Sequence, residues 1–77
     1  MAIKYVVYGR PGCAFCTKAL DLLDKHEIEY EYRDVNEPDH MYALKQLLPN
    51  VKTIPQVFTI ASHIGGFDEL QKELSDV

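Results

Sequence analysis

The sequence predicts an α/β fold in which a four-stranded mixed sheet is flanked by three helices, in the order β-α-β-α-β-β-α. Two observations predict this class. Short runs rich in β-branched and aromatic residues alternate with longer segments whose apolar residues recur at helical spacing. The 77 residues provide for a single modest core, so we expect residues 1–77 to form one domain.

The first strand is predicted at residues 3–8, where β-branched and aromatic residues precede a glycine. A helix is predicted to begin near Cys13 and to end at His26 and Glu27. Its apolar residues at helical spacing are Ala19, Leu20, Leu22 and Leu23. Cys13 and Cys16 therefore lie across a strand-to-helix turn.

This position favours ionisation of Cys13. The first turn of a helix has unpaired N–H groups and the positive end of the helix dipole. Arg10 and Lys18 add positive charge nearby, and such surroundings activate thiols. We predict that Cys13 is a nucleophile. Cys16 lies one turn further on the same helical face, and we predict that it is the resolving thiol, less exposed and more fully protonated.

The second strand is predicted at residues 28–35, with Ile28, Tyr30 and Tyr32 on one face. Together with the first strand and helix it forms a βαβ unit, whose strands should be parallel with a right-handed crossover. The cysteines then lie at the carboxyl end of the first strand, where open α/β sheets place reactive groups.

The second helix is predicted at residues 40–48, after a turn that contains Pro38, and Pro49 ends it. Its predicted apolar stripe consists of Met41, Leu44, Leu47 and Leu48. We expect this helix to be structural.

A second candidate site precedes the strand predicted at residues 56–60. A cis Ile54-Pro55 bond would turn the Thr53-Ile54 backbone outward, leaving its N–H and C=O groups free to hold an extended peptide. A trans proline that opens an edge strand is the alternative. Local sequence favours trans, because only about 5 to 6 per cent of X-Pro bonds in folded proteins are cis.

A turn at residues 61–62 and a short strand at residues 63–64 are predicted to complete a hairpin. The final helix begins after two glycines and turns Phe67, Leu70 and Leu74 inward. Asp68 is predicted to be the N-cap or an acid in the first turn of this helix, and a helix N-terminus with exposed N–H groups also suits a carboxylate ligand. Local sequence favours the capping role.

Charge and hydropathy exclude several functions. The net charge is −4 and Lys and Arg are not clustered, so we expect no nucleic-acid binding. No apolar run approaches the ~20 residues of a membrane span, and no secretory signal is seen. The two cysteines are too close together to staple distant segments, and in a reducing compartment such pairs more often serve redox chemistry or bind metal. We therefore expect a cytoplasmic monomer without membrane contact.

Three segments, at residues 8–16, 53–58 and 63–70, resemble the glutaredoxin family of the thioredoxin-like superfamily in order and spacing. The resemblance implies a glutathione-dependent thiol-disulfide oxidoreductase. Such an enzyme reduces protein disulfides and glutathionylated proteins, ribonucleotide reductase being one possible partner. It also implies that Pro55 is cis and faces the cysteines, contrary to the local expectation.

The resemblance also assigns residues to glutathione. Arg10 would meet one carboxylate and the Thr53-Ile54 backbone would pair with the cysteinyl unit. The remaining positions implied to line the site are Phe15, Pro55, Asp68 and Glu69, the last two at the helix start that receives the γ-glutamyl end. The motif here is Cys-Ala-Phe-Cys where the family usually has Cys-Pro-Tyr-Cys, and Glu69 stands where aspartate is common.

Two other functions stay open at this stage. Some family members use the first cysteine with glutathione to hold an iron-sulfur cluster between two subunits, and Cys13 could do the same. A zinc site is disfavoured, because zinc prefers four ligands and no second cysteine pair exists. His26, His40 and His63 are scattered along the chain. We therefore expect no metal.

Overall fold

The computed structural model describes residues 5–75. Four strands and three helices follow the predicted order. They are β1 (Tyr5–Gly9), α1 (Ala14–Lys25), β2 (Tyr30–Asp34), α2 (Pro38–Leu47), β3 (Gln56–Thr59), β4 (His63–Gly65) and α3 (Phe67–Ser75). Residues 3 and 4 of the predicted first strand lie outside the described residues.

The strands form one mixed sheet in the order β2-β1-β3-β4. β1 is parallel to β2, as predicted for a βαβ unit, and antiparallel to β3. β3 and β4 form the predicted antiparallel hairpin. Because β1 is central and ends at Gly9, the loop that follows it carries the cysteines to the carboxyl end of this strand.

The sheet separates two apolar clusters, since successive residues of a strand point to opposite faces. Val7 belongs to the cluster built with α1 and α3, and Tyr8 to the cluster built with α2. The first cluster consists of Val7, Ala19, Leu23, Val57, Leu70 and Leu74. Phe67 and the predicted face of the second strand pack against it. The helices therefore cover both faces of the sheet.

The second helix differs from its prediction at its ends and on its apolar face. It begins at Pro38 and ends at Leu47, because the fixed φ of proline suits the first helical position. Leu47 is 54% exposed, so its place in the apolar stripe was wrong. The inward residues of this stripe are Met41, Leu44 and Leu48. Leu47 lies roughly a quarter-turn around the helix from their mean direction.

Strand ends also differ from prediction. β2 is shorter at both ends than residues 28–35, whereas β1 and β4 each extend one residue further. β3 ends at Thr59 because the turn begins there: the Thr59 N–H donates to the Ser62 carbonyl at 2.8 Å. Ile60 is consequently 92% exposed. No helix within residues 5–75 is long and apolar enough to cross a membrane.

Candidate active site

Cys13 is the N-cap residue of α1. Its Sγ accepts a hydrogen bond from the Cys16 N–H at 3.2 Å, so the sulfur takes one of the amides that a first turn leaves unpaired. No acidic residue lies in this first turn. The Cys13 side chain is half-buried. The Cys13 sulfur is therefore reachable and holds a helix amide, and the nucleophilic role of Cys13 stays a prediction.

Cys16 lies behind Cys13 and is 2% exposed. Burial raises the pKa of the Cys16 thiol to about 11, and its hydrogen bond with Cys13 acts in the same direction. The backbone and charge of Arg10 oppose this rise in pKa without cancelling it. Cys16 is thus the less exposed thiol, as expected, and at neutral pH it carries a proton. Both cysteines are free thiols in this structure.

Gly9 allows α1 to approach the end of β1. A Cβ atom at this position would lie 2.8 Å from the Cys16 Sγ and 3.4 Å from the Cε1 of Tyr32. Burial raises the pKa of the Tyr32 hydroxyl, and Asp34 and the two thiols add smaller effects in the same direction. The sequence alone indicates Gly9 only as a strand boundary and Tyr32 only as a core residue. The close approach of Gly9 to Cys16 and the effect of the thiols on Tyr32 depend on the packing of the helix against the sheet.

The Ile54-Pro55 peptide bond is cis. The local expectation of a trans bond was therefore wrong, and the bond implied by the family resemblance is present. Pairing of β1 with β3 begins at Gln56, and within residues 5–75 no group accepts a hydrogen bond from the Ile54 N–H. The Thr53 carbonyl, by contrast, accepts from the Gln56 Nε2 at 3.0 Å. The expectation that this carbonyl is free was wrong, because the Gln56 side chain folds back onto it.

A groove of about 190 Å³ brings six of the predicted site residues together. Its walls are formed by Phe15, Thr53, Ile54, Pro55, Gly66, Phe67, Asp68 and Glu69. Phe15 is 53% exposed, with its ring centroid 6.0 Å from that of Phe67 and 5.1 Å from the Lys18 Nζ. Sequence reasoning placed Phe67 only in the core. The side chain in fact also forms part of the groove wall.

The first turn of α3 closes one end of this groove. Asp68 is the second residue of the helix, so of the two positions predicted for it, the N-cap and the first turn, it occupies the first turn. Glu69 instead reaches back, and its Oε1 accepts from the Gly66 N–H at 2.8 Å, in the manner of the glutamate in a capping box. The following N–H groups of the first turn have no acceptor within the helix. This end of the groove therefore offers amide donors beside two carboxylates.

A second cavity, of about 300 Å³, adjoins the groove through Thr53 and Ile54. Its walls contain three cations, Arg10, Lys45 and Lys52, around an apolar floor. Within residues 5–75 the one ion pair joins Arg33 to Glu31, so these cations have no carboxylate partner there. Lys52 directly precedes Thr53 in the sequence, and this position could have indicated a cation beside the predicted site. Neither cavity wall includes Cys13 or Cys16.

Two of the histidines contact groups other than the cysteines. His40 contacts the Asp34 carbonyl oxygen through Nδ1 at 3.0 Å, and His63 contacts Gln56. In the described part of the chain, no group of three or more His, Cys, Asp or Glu residues could hold a metal ion.

Comparison with known proteins agrees with this geometry. The glutaredoxin family profile matches residues 5–64. Glutaredoxin 1 of Rickettsia bellii is 39% identical over 69 residues, which cover 84% of this chain and 70% of that protein. Glutaredoxin 1 of Escherichia coli is 35% identical over 74 residues, which cover 87% of each chain.

The fold agrees as well. The crystal structure of a buckwheat glutaredoxin-glutathione complex superposes with a TM-score of 0.79 at 27% identity, covering 95% of this chain and 69% of that chain. The dithiol at the start of α1, the four-stranded sheet and these relatives agree on one assignment. The chain belongs to the glutaredoxin family, with a thioredoxin-like fold and the chemistry of a thiol-disulfide oxidoreductase.

Proposed function

We propose that this protein uses glutathione to reduce protein disulfides and glutathionylated proteins, with Cys13 as the nucleophile and Cys16 as the resolving thiol. The observation that supports this proposal is the difference in exposure between the two cysteines. The Cys13 sulfur is half-buried and holds a helix amide, whereas Cys16 is 2% exposed. Only the first sulfur is placed to meet a substrate.

The reaction begins when the Cys13 thiolate attacks one sulfur of the substrate disulfide. That S–S bond breaks, a mixed disulfide forms at Cys13, and the leaving thiolate takes a proton from water. Cys16 then attacks the Cys13 sulfur, loses its own proton and releases the second substrate thiol. The Cys13-Cys16 disulfide is finally reduced by two glutathione molecules, which leave as glutathione disulfide.

The second route uses glutathione directly. When Cys13 carries a glutathionyl group, a glutathione thiolate attacks the outer sulfur, releases the Cys13 thiolate and leaves as glutathione disulfide. The raised pKa of Cys16 favours this route, because a protonated thiol is a poor nucleophile. We therefore assign removal of glutathione to Cys13 alone, and reduction of protein disulfides to both cysteines.

The residues that line the two cavities support one orientation of bound glutathione. Its glycyl carboxylate lies toward the cations of the larger cavity, and its γ-glutamyl end lies toward the first turn of α3. Ile54 stands where the cavities meet, and its N–H binds the carbonyl of the cysteinyl unit. Cations, a free backbone amide and a helix N-terminus match a ligand with two carboxylates and one ammonium group.

The roles of the cysteines are tested by comparing Cys13→Ser with Cys16→Ser in a glutathione-coupled disulfide assay. We expect Cys13→Ser to abolish all activity. Cys16→Ser should keep removal of glutathione from small mixed disulfides and lose reduction of protein disulfides. Equal loss of both activities in the two variants would contradict the assignment.

The direction of glutathione is tested with Lys52→Gln. An exposed ion pair contributes roughly 0.2–1 kcal/mol, so the KM for a glutathionylated peptide should rise about 1.4- to fivefold. Lys25→Gln is the matched control, because Lys25 lies in the last turn of α1 and lines neither cavity. An equal KM in wild type and Lys52→Gln would contradict the proposed orientation of glutathione.

The proposal also covers the localisation, the assembly state and the first protein substrate. We place the protein in the reducing cytoplasm as a monomer, and ribonucleotide reductase is the first protein substrate to assay. The absorption spectrum of freshly purified protein tests the alternative of a cluster carrier through Cys13. A colourless, active monomer supports the oxidoreductase, and a brown dimer would support the carrier.

A further inference from the structure

We propose that Gln56 is a positioning residue that fixes the direction of the Ile54 N–H in the ligand groove. This inference rests on the proposed function, in which that N–H binds the cysteinyl unit of glutathione. Gln56 is 9% exposed, and in residues 5–75 it is the one buried polar or charged residue. It lines no part of the groove itself.

The Gln56 side-chain amide is held at both ends. Its Nε2 donates to the Thr53 carbonyl at 3.0 Å and to the Thr53 Oγ1 at 3.1 Å. Its Oε1 lies 2.8 Å from the His63 Nε2. A carbonyl only accepts, so the NH₂ end must face Thr53, and His63 must therefore donate to the Oε1. Only one orientation of the amide satisfies every partner.

The hydrogen bond to Thr53 acts on Ile54 through the peptide plane. The Thr53 C=O and the Ile54 N–H belong to one planar trans peptide unit, so they point in opposite directions. When Gln56 holds the carbonyl on one side, the N–H must point to the other side. The bond to the Thr53 Oγ1 fixes the side chain of the same residue. Gln56 thereby orients a group that it does not contact.

His63 holds the other end of this arrangement. Its ring packs on Phe58, with centroids 4.7 Å apart and planes inclined by 34°, and Phe58 pairs with His63 across the β3-β4 hairpin. The hairpin therefore anchors the ring, the ring anchors the Gln56 amide, and the amide anchors the Thr53 carbonyl. Neighbouring strands of the sheet thus support the segment that precedes Pro55.

The test replaces Gln56 with methionine, which has similar length and no N–H donor. We expect the KM for a glutathionylated peptide to rise about five- to tenfold, the effect of losing one ordinary hydrogen bond, while kcat stays within about twofold. Gln46→Met is the matched control, since Gln46 is exposed on α2. An unchanged KM in folded Gln56→Met would overturn the proposal.

A second measurement needs no substrate. The ¹⁵N order parameter of the Ile54 amide, measured by NMR in the ligand-free protein, should fall in Gln56→Met and stay unchanged in Gln46→Met. Equal values in wild type and Gln56→Met would refute the positioning role. Absence of glutathione-coupled activity in the wild type would instead refute the proposed function, so the two failures are distinguishable.

If Gln56→Met does not fold, His63→Phe replaces it. Phenylalanine keeps a ring beside Phe58 and removes the donor to the Gln56 Oε1, so the Ile54 order parameter should fall and the KM should rise about twofold. No change in either quantity would overturn the proposal.

Discussion

The buried thiol makes a quantitative prediction about reactivity. In Cys13→Ser, Cys16 is the one remaining cysteine of the chain, so every alkylation event reports on it. The serine Oγ can still accept the Cys16 N–H that the Cys13 sulfur accepts in the native protein. Burial, the largest cause of the raised Cys16 pKa, is unchanged by this substitution.

The size of the effect follows from the thiolate fraction. The pKa of Cys16 rises from 9.0 to about 11, and only the thiolate reacts with an alkylating agent. At about pH 8 this difference makes the thiolate about 100-fold rarer than in an unperturbed thiol. Because Cys16 is 2% exposed, local opening is also needed before reagent can enter, which lowers the rate further.

The assay follows iodoacetamide labelling by intact mass as a function of pH. The same variant in concentrated urea supplies the rate of an unperturbed thiol. We expect folded protein to react at least about tenfold more slowly near pH 8, with the rate still rising above pH 10, because the variant keeps the burial of Cys16 and loses the smaller effects of the Cys13 thiol on its pKa. Equal rates for folded and unfolded protein, or a half-maximal rate near pH 9, would refute the reasoning about burial.

Further predictions concern stability, measured as the urea midpoint. Because the folded-state pKa of Cys16 is raised, the contribution of its protonated thiol to the free energy of unfolding is fully present below about pH 9. This contribution is lost as pH rises through about 11, a decrease of about 3 kcal/mol. A difference in stability between wild type and Cys16→Ser that does not change with pH would contradict this. Gly9→Ala should cost about 1–3 kcal/mol, because the new Cβ would lie 2.8 Å from the Cys16 Sγ. Leu23→Ala should cost about 2–5 kcal/mol, because Leu23 is fully buried. Gly65→Ala should cost about 1–3 kcal/mol, since Gly65 has φ +127° and the Cβ would meet the Glu69 side chain. A change within about 0.5 kcal/mol, the range of ordinary surface substitutions, would contradict any of these three.

Much of the fold could be predicted from local pattern. Hydrophobic spacing located all seven elements within a few residues, because amphipathic segments bury one face whatever their neighbours are. The position of Cys13 at a helix start was equally local, since it needs only a strand, a glycine and a helix in succession. Errors were concentrated at ends, such as Pro38 and Ile60, where a cap or turn decides the boundary.

The candidate site was less accessible to such reasoning. The cis bond before Pro55 went against local statistics, and only the family resemblance implied it. The hydrogen bond from the Gly66 N–H to the Glu69 carboxylate at the start of α3 was also not predicted. These features are set by contacts that neighbouring residues in the sequence do not reveal.

The sequence by itself determined the order of elements, the placement of the dithiol at a helix N-terminus and the family. Only the tertiary structure decided that Cys16 is buried close to Gly9, and that Gln56, which contacts His63, holds the Thr53 carbonyl. The physical reason is the separation along the sequence of the residues that decide each property. Helical and strand periodicity are local properties of the chain, whereas burial of a thiol and orientation of a peptide plane arise where distant segments pack together.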